Sequence, residues 1–120
     1  MENTKLPESE IKVMDYIWAE GKATAKSIAE HMLKNYEWKK NTTYTVLNNL
    51  VNKGVLERQE PDFVCVPLIS RNHVGKVETK SLLKKFYNGS FSALFSSFLN
   101  DRQLSDKELE EIKNMIEKSK

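Results

Sequence analysis

The segment WKKNTTYTVLNNLVNKGVL, from Trp38 to Leu56, decides how the rest of the chain reads. At about 100° per residue, Val46, Leu47, Leu50 and Val51 share one arc with Thr43 in its middle, the buried stripe of an amphipathic helix. The opposite side holds Tyr44, Thr45, Asn48, Asn49 and Asn52, with Asn41 and Thr42 close by. No charged residue occurs from Asn41 to Asn52. An exposed helix surface is ordinarily built from Glu and Lys, which form helices better than Thr or Asn, so solubility does not account for this face. Asn52-Lys53-Gly54 then stops the helix, with glycine where a positive φ is tolerated.

Working outward, Pro7-Glu8-Ser9 opens a helix whose stripe is Ile11, Met14, Ile17 and Trp18, closed by Gly21. Thr24 is a good N-cap for a second, with Ala25, Ile28, Ala29, Met32 and Leu33 on one face. Beyond Gly54 the period changes. GVLERQ and DFVCVPLI read as two strands joined by Glu60-Pro61-Asp62, and Pro67 confines the second strand to an edge or ends its pairing. Three helices and a hairpin are the winged-helix order, with the third helix as the reading helix. Ser70 caps a fourth helix to about Tyr87, closed by Asn88-Gly89. Ser90 opens SFSALFSSFLN, in which Phe91, Leu94, Phe95, Phe98 and Leu99 follow the i, i+3, i+4, i+7, i+8 template. Ser105-Asp106-Lys107-Glu108 is a capping box, with Leu104 and Leu109 as its hydrophobic staple, and the last helix carries Ile112, Met115 and Ile116. The expected fold is mainly α with a small β-hairpin: a winged helix-turn-helix DNA-binding domain over 1–70, then a helical dimerisation domain over 71–120.

With 120 residues, 39% of them hydrophobic, the chain is long enough for one domain or two small modules. Its apolar runs are too short to cross a bilayer and Met1 is followed by polar residues, so neither membrane insertion nor a signal peptide is expected. The single cysteine, Cys65, suits a reducing cytoplasm. Net charge is +2, but residues 1–70 hold nine Lys/Arg against ten Asp/Glu, and 71–120 hold ten against seven. Contact with phosphates therefore depends on local lysines.

Thr, Asn and Tyr are short or planar hydrogen-bonding groups that reach base edges in a major groove, and threonine methyls meet the thymine methyl. Lys39 and Lys40 stand at the helix entrance, where phosphates bind well. Three asparagines and no arginine lean the readout towards A·T pairs. The expected DNA contacts are Lys39, Lys40, Asn41, Thr42, Tyr44, Thr45, Asn48 and Asn49. A face that contacts another protein, in a winged-helix module with no DNA role, remains the alternative. His31, His73 and Cys65 lack metal-ligand spacing, and there is no glycine-rich phosphate loop. No metal, cofactor or catalytic group is expected. The helical tail is too short to bury its large apolar residues within itself. Packing against the first domain would cover them, but a homodimer is favoured, because one reading helix recognises too few base pairs for useful specificity. Phe91, Leu94, Phe95, Phe98, Leu99, Ile112 and Ile116 are its expected interface.

PESEIKVMDYIWAEGKATAKSIAEHM, Trp38 with NTTYTVLNNLVNKGVL, VPLIS, FYNGSFSALFSSFL and LSDKELEEIKNMI together resemble the BlaI/MecI-type family of bacterial repressors. The resemblance implies a dimeric winged-helix repressor of palindromic operators with TACA/TGTA cores, upstream of a β-lactamase or other resistance gene and of its own operon. The family's reading residues fall on Asn41, Thr42, Tyr44 and Thr45. Asn41 stands where lysine is common, Thr43 where Ile or Val is common, and Asn49 where arginine is frequent. Glu60-Pro61-Asp62 replaces the usual Gly-Arg of the wing tip. These departures remove positive charge. The chain ends IEKSK, without the cysteine-rich motif of the copper-responsive branch. The resemblance also implies release by proteolysis, started by a membrane sensor that detects β-lactam, with the cut before a phenylalanine of the dimerisation domain. The matching bond is Ser97–Phe98, with serine where the family typically has asparagine.

Overall fold

The computed structural model describes residues 5–120, which divide into two compact units, one through Glu78 and one from Thr79 onward.

In the first unit, helix α1 spans Glu8–Glu20. Pro7 precedes it with φ −65°, and Glu8 and Glu10 in its first turn complement the helix dipole. Gly21, at φ 86°, ends it by donating its N–H to Ile17 O at 2.8 Å. Helix α2 spans Ala25–Tyr36, and the Thr24 hydroxyl accepts from Ser27 N at 3.1 Å as the expected cap. Helix α3 spans Lys40–Asn52. Its stripe packs as the period requires: Thr43, Val46, Leu47 and Leu50 are buried together with Val13, Met14 and Ile17 of α1 and Ile28 and Met32 of α2. A polar link also joins α1 to the end of α3: Glu10 is buried, and Lys53 Nζ donates to its Oε1 at 2.6 Å.

The sheet has three strands rather than the expected two. Strand β1 (Ala23–Thr24), β2 (Leu56–Gln59) and β3 (Val64–Pro67) lie in the order β1-β3-β2, all antiparallel. Ala23 pairs with Cys65 and Thr24 with Val64, while Leu56 pairs with Pro67 and Arg58 with Cys65. So β3 is the middle strand. Pro67 is tolerated because it is the last residue of β3, beyond the reach of the two-residue β1, so its missing N–H costs the sheet no bond on that side. The hairpin turn runs further than Glu60-Pro61-Asp62: Asp62 and Phe63 both adopt left-handed backbone, φ 57° and 49°, and β3 begins at Val64.

Helix α4 spans Arg71–Phe86 and contains the division between the units. Ser70 Oγ accepts from His73 N at 3.0 Å, and Val74 reaches the first unit's core. Trp18 Nε1 donates to Ile69 O at 3.0 Å and Arg71 pairs with Asp15 at 2.7 Å, fixing the entry to α4.

In the second unit α5 spans Phe91–Asn100 and α6 spans Asp106–Ser119. Ser90 and Ser105 cap them, accepting from Ala93 N at 3.0 Å and Glu108 N at 3.1 Å. Neither helix has a buried residue.

Candidate nucleic-acid interface

On α3, Asn41, Thr42, Thr45, Asn48, Asn49 and Asn52 are all exposed. This is the face that the 3.6-residue period separates from the core. Tyr44 differs from its fellows: it is half-buried, its ring edge-on to Phe63 with centroids 5.8 Å apart and planes at 79°. Lys40 Nζ lies 5.6 Å from the Tyr44 centroid. Lys39 holds the N-cap position with extended backbone but gives no side-chain cap, and no acidic residue stands in the first turn. The amide ends of α3 are thus uncapped by any side chain and flanked by two exposed lysines, an arrangement suited to anions.

The hairpin is electrically mixed. Glu57, Glu60 and Asp62 are exposed, and Arg58, the one cation of the hairpin, pairs with Glu60. The Arg58 guanidinium also lies over the Phe63 ring, 3.7 Å from its centroid. Nothing in the sequence singles out Arg58 or Phe63, because the first sits among acids and the second falls inside a segment of strand-like pattern. The same holds for Lys26. That exposed lysine of α2 lines, with Ala29, Glu30, Leu33 and Lys40, a hollow of about 220 Å³.

Chemistry elsewhere in the unit is structural. His31 stacks on Tyr16 with centroids 4.1 Å apart, and the Tyr16 hydroxyl meets Ser27 Oγ at 2.9 Å. Cys65 is buried, and burial pushes its thiol up from 9.0 to about 11 despite the opposing charge of Arg58. Among the described residues, no three His, Cys, Asp or Glu side chains gather as a metal site, and no helix is long and apolar enough to cross a membrane.

In the second unit five of the seven expected interface residues, all but Leu94 and Phe98, line two open hollows. One of about 570 Å³ is bounded by Phe91, Phe95, Ile112, Met115 and Ile116. The other, of about 340 Å³, is bounded by Phe95, Leu99, Leu109, Ile112 and Ile116. Phe91 and Met115 are each about three-fifths exposed, at 63% and 61%, whereas Leu94, Phe95 and Ile112 are half-buried. Met115 was not among the expected contacts, though its helical period places it there. Ser97 Oγ donates to Leu94 O at 2.7 Å, and Phe98 beside it is exposed.

Comparison with known proteins decides the family. The family description "Penicillinase repressor" matches residues 6–118. The chain belongs to the penicillinase-repressor family. Members similar to it include the penicillinase repressor of Bacillus licheniformis, 29% identical over 118 residues, covering 97% of this chain and 92% of that protein. The methicillin resistance regulatory protein MecI of Mammaliicoccus sciuri and that of Staphylococcus aureus are each 28% identical over 116 residues, covering 95% of this chain and 94% of theirs. Among solved structures, the DNA-binding domain of the repressor BlaI superposes with a TM-score of 0.54 at 26% identity, covering 57% of this chain and 85% of that domain. The penicillinase-repressor family consists of transcriptional repressors rather than enzymes.

Proposed function

We propose that this repressor acts as a cytoplasmic homodimer that reads a palindromic DNA operator through α3. The observation that supports it is the uncharged hydrogen-bonding face of that helix, exposed from Asn41 to Asn52 and led by Lys39 and Lys40. Lysines and free helix amides anchor phosphates, while Thr45, Asn48 and Asn49 are of the type that addresses base edges. Pairing of two chains through the α5–α6 seam supplies the second reading helix that a palindrome requires. The resemblance to repressors of penicillinase and methicillin resistance supports a β-lactamase or other resistance operon as the regulated target. Release follows from a cut at Ser97–Phe98, driven directly or indirectly by a membrane sensor-protease.

An electrophoretic shift with the chain's own upstream region tests the reading. Asn48→Ala is expected to weaken binding by about 1–3 kcal/mol, the range for one lost base contact, and Thr45→Ala to weaken it in the same direction. Equal binding to a scrambled duplex would sink specific recognition. If both variants bind as tightly as the parent, the face serves another protein instead.

A further inference from the structure

We infer that Phe63 is a positioning residue that couples the hairpin cation Arg58 to Tyr44 of α3, so that hairpin and reading helix meet DNA as one unit. The inference rests on the function proposed above and deepens it.

Four side chains from three elements form a continuous stack. The Arg58 guanidinium of β2 lies 3.7 Å from the Phe63 centroid, Phe63 meets Tyr44 edge-to-face at 5.8 Å, and Lys40 Nζ lies 5.6 Å from the Tyr44 centroid. Ring faces carry negative potential and ring edges positive, so each step of this cation–ring–ring–cation order is attractive. The backbone makes Phe63 a fixed post. Its φ of 49° follows that of Asp62 at 57°, and its carbonyl accepts from Ala25 N, the first residue of α2, at 2.9 Å. Its side chain packs against the first unit's core. Glu60 also pairs with Arg58. The Phe63 ring therefore gives the guanidinium a second partner, linked through Tyr44 to α3, in competition with the acidic hairpin tip. Loss of the ring leaves Arg58 to Glu60 and frees Tyr44 to change rotamer, which misplaces two of the groups available to the duplex.

Anisotropy titrations of full-length protein against labelled operator and scrambled duplexes test this, using Phe63→Leu, Phe63→Tyr, Tyr44→Leu and the Phe63→Leu/Tyr44→Leu double variant. Phe63→Leu keeps apolar bulk without the ring, and a roughly three- to tenfold loss of operator affinity is expected. Phe63→Tyr keeps the ring and is expected to restore most of it. The double variant should lose less than the sum of the two single losses, because the Phe63–Tyr44 contact is lost in both. A urea unfolding curve for each variant separates these effects from stability. Additive losses, or a Phe63→Leu variant that retains parental operator affinity, overturn the coupling while leaving the repressor reading intact. A parent that does not distinguish operator from scrambled duplex overturns both.

Discussion

Thr43 sits in the centre of the buried stripe of α3 with no accessible surface, and its Oγ1 has no hydrogen-bond partner among the described residues. A buried hydroxyl that has lost water without gaining a partner carries a desolvation cost. Valine has the same branched shape and no such group. Thr43→Val is therefore expected to stabilise the protein by about 1 kcal/mol, read as a higher urea midpoint at unchanged slope. A lower midpoint would mean that the hydroxyl is bonded. Cys65 gives a pH-dependent counterpart. Burial raises its thiol from 9.0 to about 11, so the folded state favours the protonated form. Its contribution to stability is complete below pH 9 and is lost as pH rises through 11. Native protein should resist thiol reagents at pH 8, and Cys65→Ala should flatten the decline in stability between pH 9 and 11. An equally steep decline in the variant would assign it to other groups.

At the level of elements, four of the six helices were legible at their starts because a side-chain cap marks them, and α1 and α3 by their apolar period. Thr24, Ser70, Ser90 and Ser105 each accept a backbone N–H three residues on. The two-residue β1 was not legible, since it has no period to read and exists only because β3 offers it an edge. The half-buried state of Tyr44 was hidden for a related reason: helical angle placed it outward, but Phe63 arrives from a turn whose left-handed backbone no local pattern announced. Elements also locate the dimer prediction. Phe95 borders both hollows of the α5–α6 seam and Leu99 borders the second. Changing both to Asp would place two charges in a largely apolar seam where, among the described residues, Lys113 is the one cation lining the second hollow. The double variant is expected to sediment as a monomer and to bind operator more weakly. A double variant that stays dimeric would move the interface elsewhere.

Across the whole molecule, the winged-helix reading and the family were legible from sequence, since the matching segments span nearly its length. The proposed release step depends on how the parts combine. Ser97 turns its hydroxyl back onto Leu94 O, a local bond of the kind that competes with helix pairing, and α5 has no buried residue to hold it closed. Both features favour local opening, which a protease requires. Cutting before Phe98 would separate Phe98, Leu99 and α6 from the rest of the seam, removing apolar area from the dimer and with it the linked binding of two half-sites. Mass spectrometry of the repressor from β-lactam-treated cells should then find a fragment ending at Ser97. Full derepression with only intact protein would reject cleavage.

The empty interior of α5 and α6 carries a further consequence. A segment that cannot bury its own apolar side chains would complete its packing by meeting a second copy, so on the dimer reading its order is governed by mass action. The chain then responds to its own abundance. When copies are plentiful the seams would close and hold α5 in its helix. When they are scarce the seams would open, α5 would unfold locally more often, and the remaining molecules would be the most readily destroyed. Repression would thus fail abruptly rather than fade as the repressor is diluted.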